Sequence, residues 1–260
     1  MLVYPQLATG ALAQYPVAKR VQMRTVVNAA ADGSSIKLAD APGASMVWQL
    51  QYASLSDAEL AALESFFAAA EGSLNGFTFL DPGGNLAAWS EDLTNAVWQA
   101  GAYLTAAGNT ADPLGGTGAW TLTNGGAGPQ DLSQTLNAPG GYAYCFSVFV
   151  RAEEAAAVTM LLGGERADCA IGSAWTRIAV AQSGDATADS VTFGIELAAG
   201  NSVDVFGFQA EAQSEASAYQ KSTSGGVYQN ARLRDDVLQF TTMAPNRHSA
   251  TVNILYANHL

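Results

Sequence analysis

Side chains able to do covalent chemistry are few in this sequence, and their spacing assembles no catalytic set. The histidines are His248 and His259, both near the C-terminus, and no serine stands with them in a recognisable hydrolase motif. Cys145 and Cys169 sit in apolar contexts, Tyr-Cys-Phe and Asp-Cys-Ala-Ile. Such contexts suit buried free thiols of a reducing compartment, with a bridge between the two as the alternative. Asp92, Asp112, Asp131, Asp168, Asp185, Asp189 and Asp204 are scattered, without the dense Asp/Asn/Gly spacing of a calcium loop, and read as solvated loop charge. No motif points to the paired carboxylates of glycoside hydrolysis, whose separation is a three-dimensional property. Leu161-Leu162-Gly163-Gly164 lacks the Lys-Ser/Thr of a phosphate loop and reads as a turn. The expectation is therefore no catalytic residue, no metal and no cofactor. Aromatic recognition remains: an indole or phenol can stack on the apolar face of a sugar ring while polar neighbours take its hydroxyls. Tyr103 and Trp120, in glycine- and threonine-rich surroundings, are the carbohydrate-binding candidates. An ordinary core role is the competing reading for Trp120.

The elements that would hold such residues follow from composition. The 260 residues are 49% hydrophobic and only 13% charged, enough to bury a sizeable core in one or two domains. The formal net charge of −12 repels phosphate backbones and anionic lipid, so neither nucleic acid nor membrane is an expected partner. No apolar run is long enough to span a bilayer. The start, Met1-Leu2-Val3-Tyr4-Pro5, lacks the charged and apolar regions of a secretory signal, so export is not expected. Residues 83–227 carry 4 basic and 14 acidic groups, whereas residues 1–82 carry 4 and 7, and residues 228–260 carry 3 and 2. The acidity thus belongs to a Gly/Ser/Thr/Asn-rich middle, bounded by Asp81-Pro82-Gly83-Gly84 and Ser222-Thr223-Ser224-Gly225-Gly226, punctuation found at domain junctions.

In the head, Arg20–Val26 alternates as a half-buried strand does, Asp32-Gly33 marks a turn, and Trp48, Leu50 and Tyr52 share one face of a second alternating run. Ser56-Asp57-Ala58-Glu59 is a capping box that opens a helix over about residues 57–71, with Leu60, Leu63, Phe67 and Ala70 at helical spacing and Gly72 as its stop. Gly76–Leu80 reads as a strand. In the tail, residues 236–242 and 249–256 alternate around Ala244-Pro245-Asn246. Two strands alone cannot bury a core, so the tail is expected to pair with the head. The predicted domains are residues 1–83 together with 228–260, and an inserted 84–227.

The head string Tyr4-Pro5…Gln14-Tyr15-Pro16…Asp32-Gly33…Trp48-Gln49-Leu50…Leu55-Ser56-Asp57-Ala58-Glu59…Phe66-Phe67…Glu71-Gly72…Phe77-Thr78-Phe79-Leu80-Asp81-Pro82 resembles the N-terminal domain of the distal or minor tail proteins of long-tailed bacteriophages and gene transfer agents. Thr241-Thr242-Met243-Ala244-Pro245-Asn246…Ser249-Ala250-Thr251-Val252 is similar to the closing strands of the same family. The resemblance implies a small β-barrel-like, ring-forming tail-tip domain with one α-helix, and no catalysis. It further implies partnership with like copies in a homo-hexamer and with tail tube and tail hub proteins, at the tip of a virion made in a bacterial cytoplasm.

The middle carries a second resemblance. Asn85-Leu86…Trp89-Ser90-Glu91-Asp92-Leu93-Thr94-Asn95…Trp98, Ser133–Leu136, Tyr144–Arg151, Trp175-Thr176-Arg177, Val205–Glu211 and Ser217-Ala218-Tyr219 look like the jelly-roll modules of phage tail fibres, which are related to carbohydrate-binding modules. Short strands between Gly/Asn/Asp/Ser turns independently indicate an antiparallel β-sandwich. Tyr144, Phe146, Val148 and Val150 are predicted to share one strand face, and Cys145, Ser147, Phe149 and Arg151 the other. Trp89, Trp98 and Trp175 lie in the motif skeleton and read as core. The mainly β chain therefore has three functional readings. These are a structural tail-tip ring, a host-attachment module binding cell-surface glycan, and, least favoured, a polysaccharide-degrading enzyme.

Overall fold

The computed structural model describes residues 2–257, the side chain of Pro42 excepted, so that His259 lies outside the described residues. The chain divides into two compact units, one of residues 1–8, 13–79 and 228–260 and one of residues 9–12 and 80–227. Among the described residues the architecture is mainly β, with a single α-helix. No helix there is long and apolar enough to cross a membrane.

The first unit opens with β1 (Val17–Ala29) and β2 (Ser35–Leu55), an antiparallel hairpin paired from Val17↔Leu50 to Ala29↔Ser35, with a register shift between Gln22 and Arg24. Its turn closes through an Ala30 N–H bond to the Ser34 carbonyl at 2.8 Å. Gly33 there adopts φ +85°, a conformation that costs glycine nothing. Helix α1 (Asp57–Ala70) starts at the predicted capping box: the Glu59 N–H donates to Ser56 Oγ at 3.3 Å and the Ser56 N–H to the Glu59 carboxylate at 2.9 Å. It ends where Glu71 and Gly72 turn left-handed. Leu60, Leu63, Phe66 and Ala70 form its buried face. Strand β3 (Phe77–Leu80) follows, buried at every residue.

The second unit contains β4 (Gln99–Ala100), β5 (Leu104–Thr110), β6 (Ala119–Asn124), β7 (Gln130–Leu136), β8 (Ala143–Arg151), β9 (Ala156–Leu162), β10 (Glu165–Ile171), β11 (Thr176–Ser183), β12 (Val191–Leu197) and β13 (Ser202–Glu211). They form two five-stranded antiparallel sheets, ordered β10-β9-β12-β7-β4 and β11-β8-β13-β6-β5, a jelly-roll-like sandwich. Tyr144, Phe146, Val148 and Val150 of β8 enter its core with Phe193, Ile195, Val205 and Phe208, as the alternation predicts. Gly194 sits where a Cβ would come within 2.2 Å of the Leu132 carbonyl oxygen, so only glycine lets β12 pass β7 at that point.

The chain returns to the first unit through β14 (Val227–Leu233), β15 (Phe240–Ala244) and β16 (Arg247–Ala257). The sheet there is ordered β1-β2-β16-β14-β3, with β15 also paired to β16. β16 joins β2 from Ala257↔Ser45 to His248↔Leu55. The core beneath is aromatic: Trp48 meets Phe79 at 5.0 Å and Tyr4 meets Phe66 at 5.2 Å, both edge-on.

Four local expectations change. β1 is exposed along nearly its whole length rather than half-buried, because among the described residues neither face of its distal half is covered. Residues 236–239 are loop rather than strand, since the Asp236 carboxylate turns to accept the Ser73 N–H at 2.8 Å and hydroxyl at 2.7 Å. β14, whose sequence carries no alternation, was not expected. The cysteines are both free, but Cys169 is only half-buried.

Candidate functional site

Two surfaces stand out, one on each unit. On the first unit, β2 pairs with β16 only from Ser45 onward. Arg24–Ala29 and Ser35–Asp40 therefore form a ribbon that is two-stranded among the described residues. Val21, Met23, Val26, Val27, Ile36 and Leu38 are exposed on this hairpin. Val26 lies opposite Leu38 on one face, and Arg24 is tied to Asp40 at 3.0 Å. Lys19, Arg20, Arg24 and Lys37 also lie on it, 4 of the 11 basic residues of an acidic chain. The outer edge of β1 pairs with no strand among the described residues. A wider depression of about 870 Å³ lies near β2, β15 and β16. Its polar groups are partly spent on each other, as in the Asn253–Asp235 bond at 2.9 Å.

On the second unit, the outward face of the β11-β8-β13-β6-β5 sheet is closed in the middle and open at one end. The middle is closed by Tyr219, whose ring lies 5.5 Å from that of Phe206 and 6.3 Å from that of Phe149. Gly207, at φ +66°, leaves room for it, since a Cβ there would come within 3.0 Å of the Tyr219 ring. The Tyr219 hydroxyl donates to Glu91 at 2.9 Å, and burial raises its pKa. Arg177 lies over Phe149 at 5.5 Å and donates to Ser147 Oγ at 2.8 Å.

At the open end lies a cavity of about 610 Å³, whose lining includes Thr110, Thr121, Arg151, Asn201, Ser202 and Asp204. Arg151 and Asp204 are register partners across β8 and β13. The Arg151 Nε donates to Asp204 Oδ2 at 2.8 Å, and Thr121 Oγ1 donates to Asp204 Oδ1 at 2.6 Å. Thr110 Oγ1 lies 3.0 Å from Thr121 Oγ1, which extends the chain of bonds. The guanidinium carbon of Arg151 sits 4.8 Å from the ring centroid of Trp175. The aromatic plane thus fixes the plane of the cation.

The sequence-predicted residues are placed as follows. Tyr103, 63% exposed, precedes β5 and lies beside the Gly125 turn, whose N–H bonds its carbonyl at 3.0 Å. Trp120, at the other end of β6, is half-buried against the core and donates its Nε1 to the Glu91 carbonyl at 2.8 Å. The structure does not bring the two together. Trp98 is core, as expected. Trp89 is instead exposed, at φ +50°, and Trp175 leaves the core to cover Arg151. Arg151, Asp204 and Thr121 escape sequence reasoning because 53 residues separate the ion pair and only the β8–β13 register joins it. Burial pushes the Cys145 thiol up to about 11, away from nucleophilic use. No group of three or more His, Cys, Asp or Glu among the described residues is arranged to hold a metal ion.

No family model matches the chain, and no curated protein matches it. Among solved structures it is similar to the C-terminal family 22 carbohydrate binding module of Clostridium thermocellum Xyn10B, at 14% identity over 53% of this chain and 99% of that one, with a TM-score of 0.42. It is also similar to TmCBM61 in complex with β-1,4-galactotriose, at 12% identity over 48% of this chain and 97% of that one, with a TM-score of 0.37. A third likeness, at 11% identity and a TM-score of 0.37, is to the enzymatically active domain of bacteriophage CBA120 tailspike protein 4. It covers 51% of this chain and spans only 22% of the tailspike chain.

Proposed function

We propose that the chain is a structural component of the tail tip of a long-tailed bacteriophage or phage-like particle. In this reading the first unit closes with like copies into a ring, a hexamer as the sequence resemblance implies, that joins tail tube to tip hub. The sandwich faces outward and attaches to host-surface glycan, without catalysis. The observation that carries the reading is the β1–β2 ribbon. A free two-stranded hairpin is marginally stable in water, and large apolar side chains such as Met23 and Ile36, 75% and 63% exposed, gain from being covered. A ribbon that is apolar and basic, on an otherwise acidic chain, suits a head-to-tail contact, the kind of interface that closes into a ring. Ring multivalency would then raise a weak sugar affinity to useful avidity.

Light scattering and negative-stain microscopy of the purified chain test the ring. The expected result is a closed oligomer that Met23→Asp combined with Ile36→Asp converts to a folded monomer. A wild-type chain that stays monomeric at high concentration removes the ring. Immunogold labelling of particles with antibody against residues 84–227 tests the location, the expected result being label at one end of long tails. Intact particles without label, beside free protein that the antibody detects, favour a sugar-binding protein outside the virion.

A further inference from the structure

We infer that the cavity at the open end of the β11-β8-β13-β6-β5 sheet is a binding site for a neutral oligosaccharide, with Arg151 as its principal donor and the Asp204–Thr121–Thr110 chain holding that donor in place. The inference rests on the attachment part of the function proposed above and locates it away from Tyr103.

The donor set points to a polyhydroxylated ligand. Arg151 spends Nε on Asp204 and its outer ring-facing plane on Trp175, while its two terminal nitrogens take no acceptor among the described residues. Those nitrogens form a planar fork, and two adjacent sugar hydroxyls present oxygens to it much as a carboxylate does. The polar uncharged part of the lining, Thr110, Thr121, Asn201 and Ser202, carries hydroxyl and amide groups that both donate and accept, each keeping capacity beyond the internal bond it makes. This matches the dual character of sugar hydroxyls. At about 610 Å³ the cavity falls within the usual range for small-ligand sites.

Charge selects neutral sugar over acidic sugar. One basic residue, Arg151, lines the cavity against three acidic ones, Glu153, Glu154 and Asp204. Asp204 is already neutralised by Arg151, whereas Glu153 and Glu154 stand exposed at the rim. A uronate or phosphorylated sugar approaching Arg151 must pass these carboxylates, which a neutral ring does without penalty.

The test uses the full chain, calorimetric titration with cellotriose, maltotriose, mannotriose and trigalacturonate, and a glycan array of bacterial surface oligosaccharides. Arg151→Met removes the fork. Ala155→Trp fills the cavity from an exposed rim position that takes part in none of these bonds, and so keeps the test decisive where Arg151→Met disturbs folding. The expected result is binding of a neutral oligosaccharide by wild type, at least ten-fold weakened in both variants, with trigalacturonate unbound until Glu153→Gln and Glu154→Gln are combined. Wild-type binding that both folded variants retain places the sugar elsewhere and overturns the inference alone. Trigalacturonate binding by wild type overturns the charge selection. A wild-type chain that binds nothing on the array overturns the inference together with the attachment reading beneath it.

Discussion

The Asn85 side chain donates from Nδ2 to the Phe208 carbonyl at 2.8 Å and to the Gln220 carbonyl at 3.0 Å, fastening the start of the sandwich to its last strand and to the segment that follows it. Its Oδ1 meanwhile accepts the N–H groups of Ala87 at 2.9 Å and Ala210 at 3.1 Å. Every hydrogen-bonding position of the carboxamide is filled, and the residue is 4% exposed. Asn85→Leu leaves four backbone groups unsatisfied and is expected to destabilise the sandwich by about 3 kcal/mol. Urea unfolding followed by tryptophan fluorescence measures this; a loss below about 1 kcal/mol would show that water replaces the side chain.

Ser56 and Glu59 each satisfy a backbone donor of the other at the start of α1. Ser56→Ala is expected to cost about 1 kcal/mol, and to speed amide exchange in the first turn more than in the sandwich. Equal acceleration in both units would mean that the cap does not act locally.

Several carboxylates are held below their ordinary pKa by the donors they accept. For Asp112 the Gly118 N–H is foremost, with Gly116 and Leu114 adding to it. For Asp236 it is the Ser73 hydroxyl, then its N–H. Burial raises Glu59, but the Ser56 and Ala8 N–H groups outweigh it. A lowered folded pKa gives stability that is present above the ordinary values of 3.8 for Asp and 4.5 for Glu, and that is lost as pH falls through the folded values. The melting temperature should accordingly hold between about pH 5 and 7 and drop below about pH 4. Asp112→Asn should melt below wild type at neutral pH and converge with it in acid. A constant gap across the range would assign the difference to shape rather than ionisation.

Tyr103→Ala should leave the melting temperature unchanged, since the ring is 63% exposed. Trp120→Ala should lower it by several degrees, because that indole packs on the core and bonds the Glu91 carbonyl. Thermal melts of both variants decide this. A Trp120→Ala protein as stable as wild type would free Trp120 for a surface role.

What the sequence made legible is what depends on neighbours along the chain. The capping box at Ser56, the buried alternation of Trp48, Leu50 and Tyr52, and the two faces of β8 are local patterns, and each takes the form its spacing predicts. What it hid depends on which strands lie side by side. The alternation around Val21 and Met23 states that a strand has two faces, and says nothing of whether either is covered. Trp175 has the type of a core residue, yet the β8–β11 pairing, in which Thr176 lies opposite Val150, carries it to Arg151 instead. The Arg151–Asp204 pair has no local signature at all, being a product of register.

The sandwich begins and ends at one spot, where the Asp81 N–H donates to the Gly226 carbonyl at 2.8 Å. A chain whose ends meet can be cut and rejoined elsewhere, so circular permutants of this module should be buildable. The same closure makes it exchangeable in evolution: a different cassette with adjoining termini could replace it without respacing the strands on either side. One tether limits that trade. Leu12, 1% exposed, belongs to the core of the second unit although residues 13–79 of the first follow it in the chain. Any cassette that replaces this unit therefore replaces residues 9–12 together with residues 80–227.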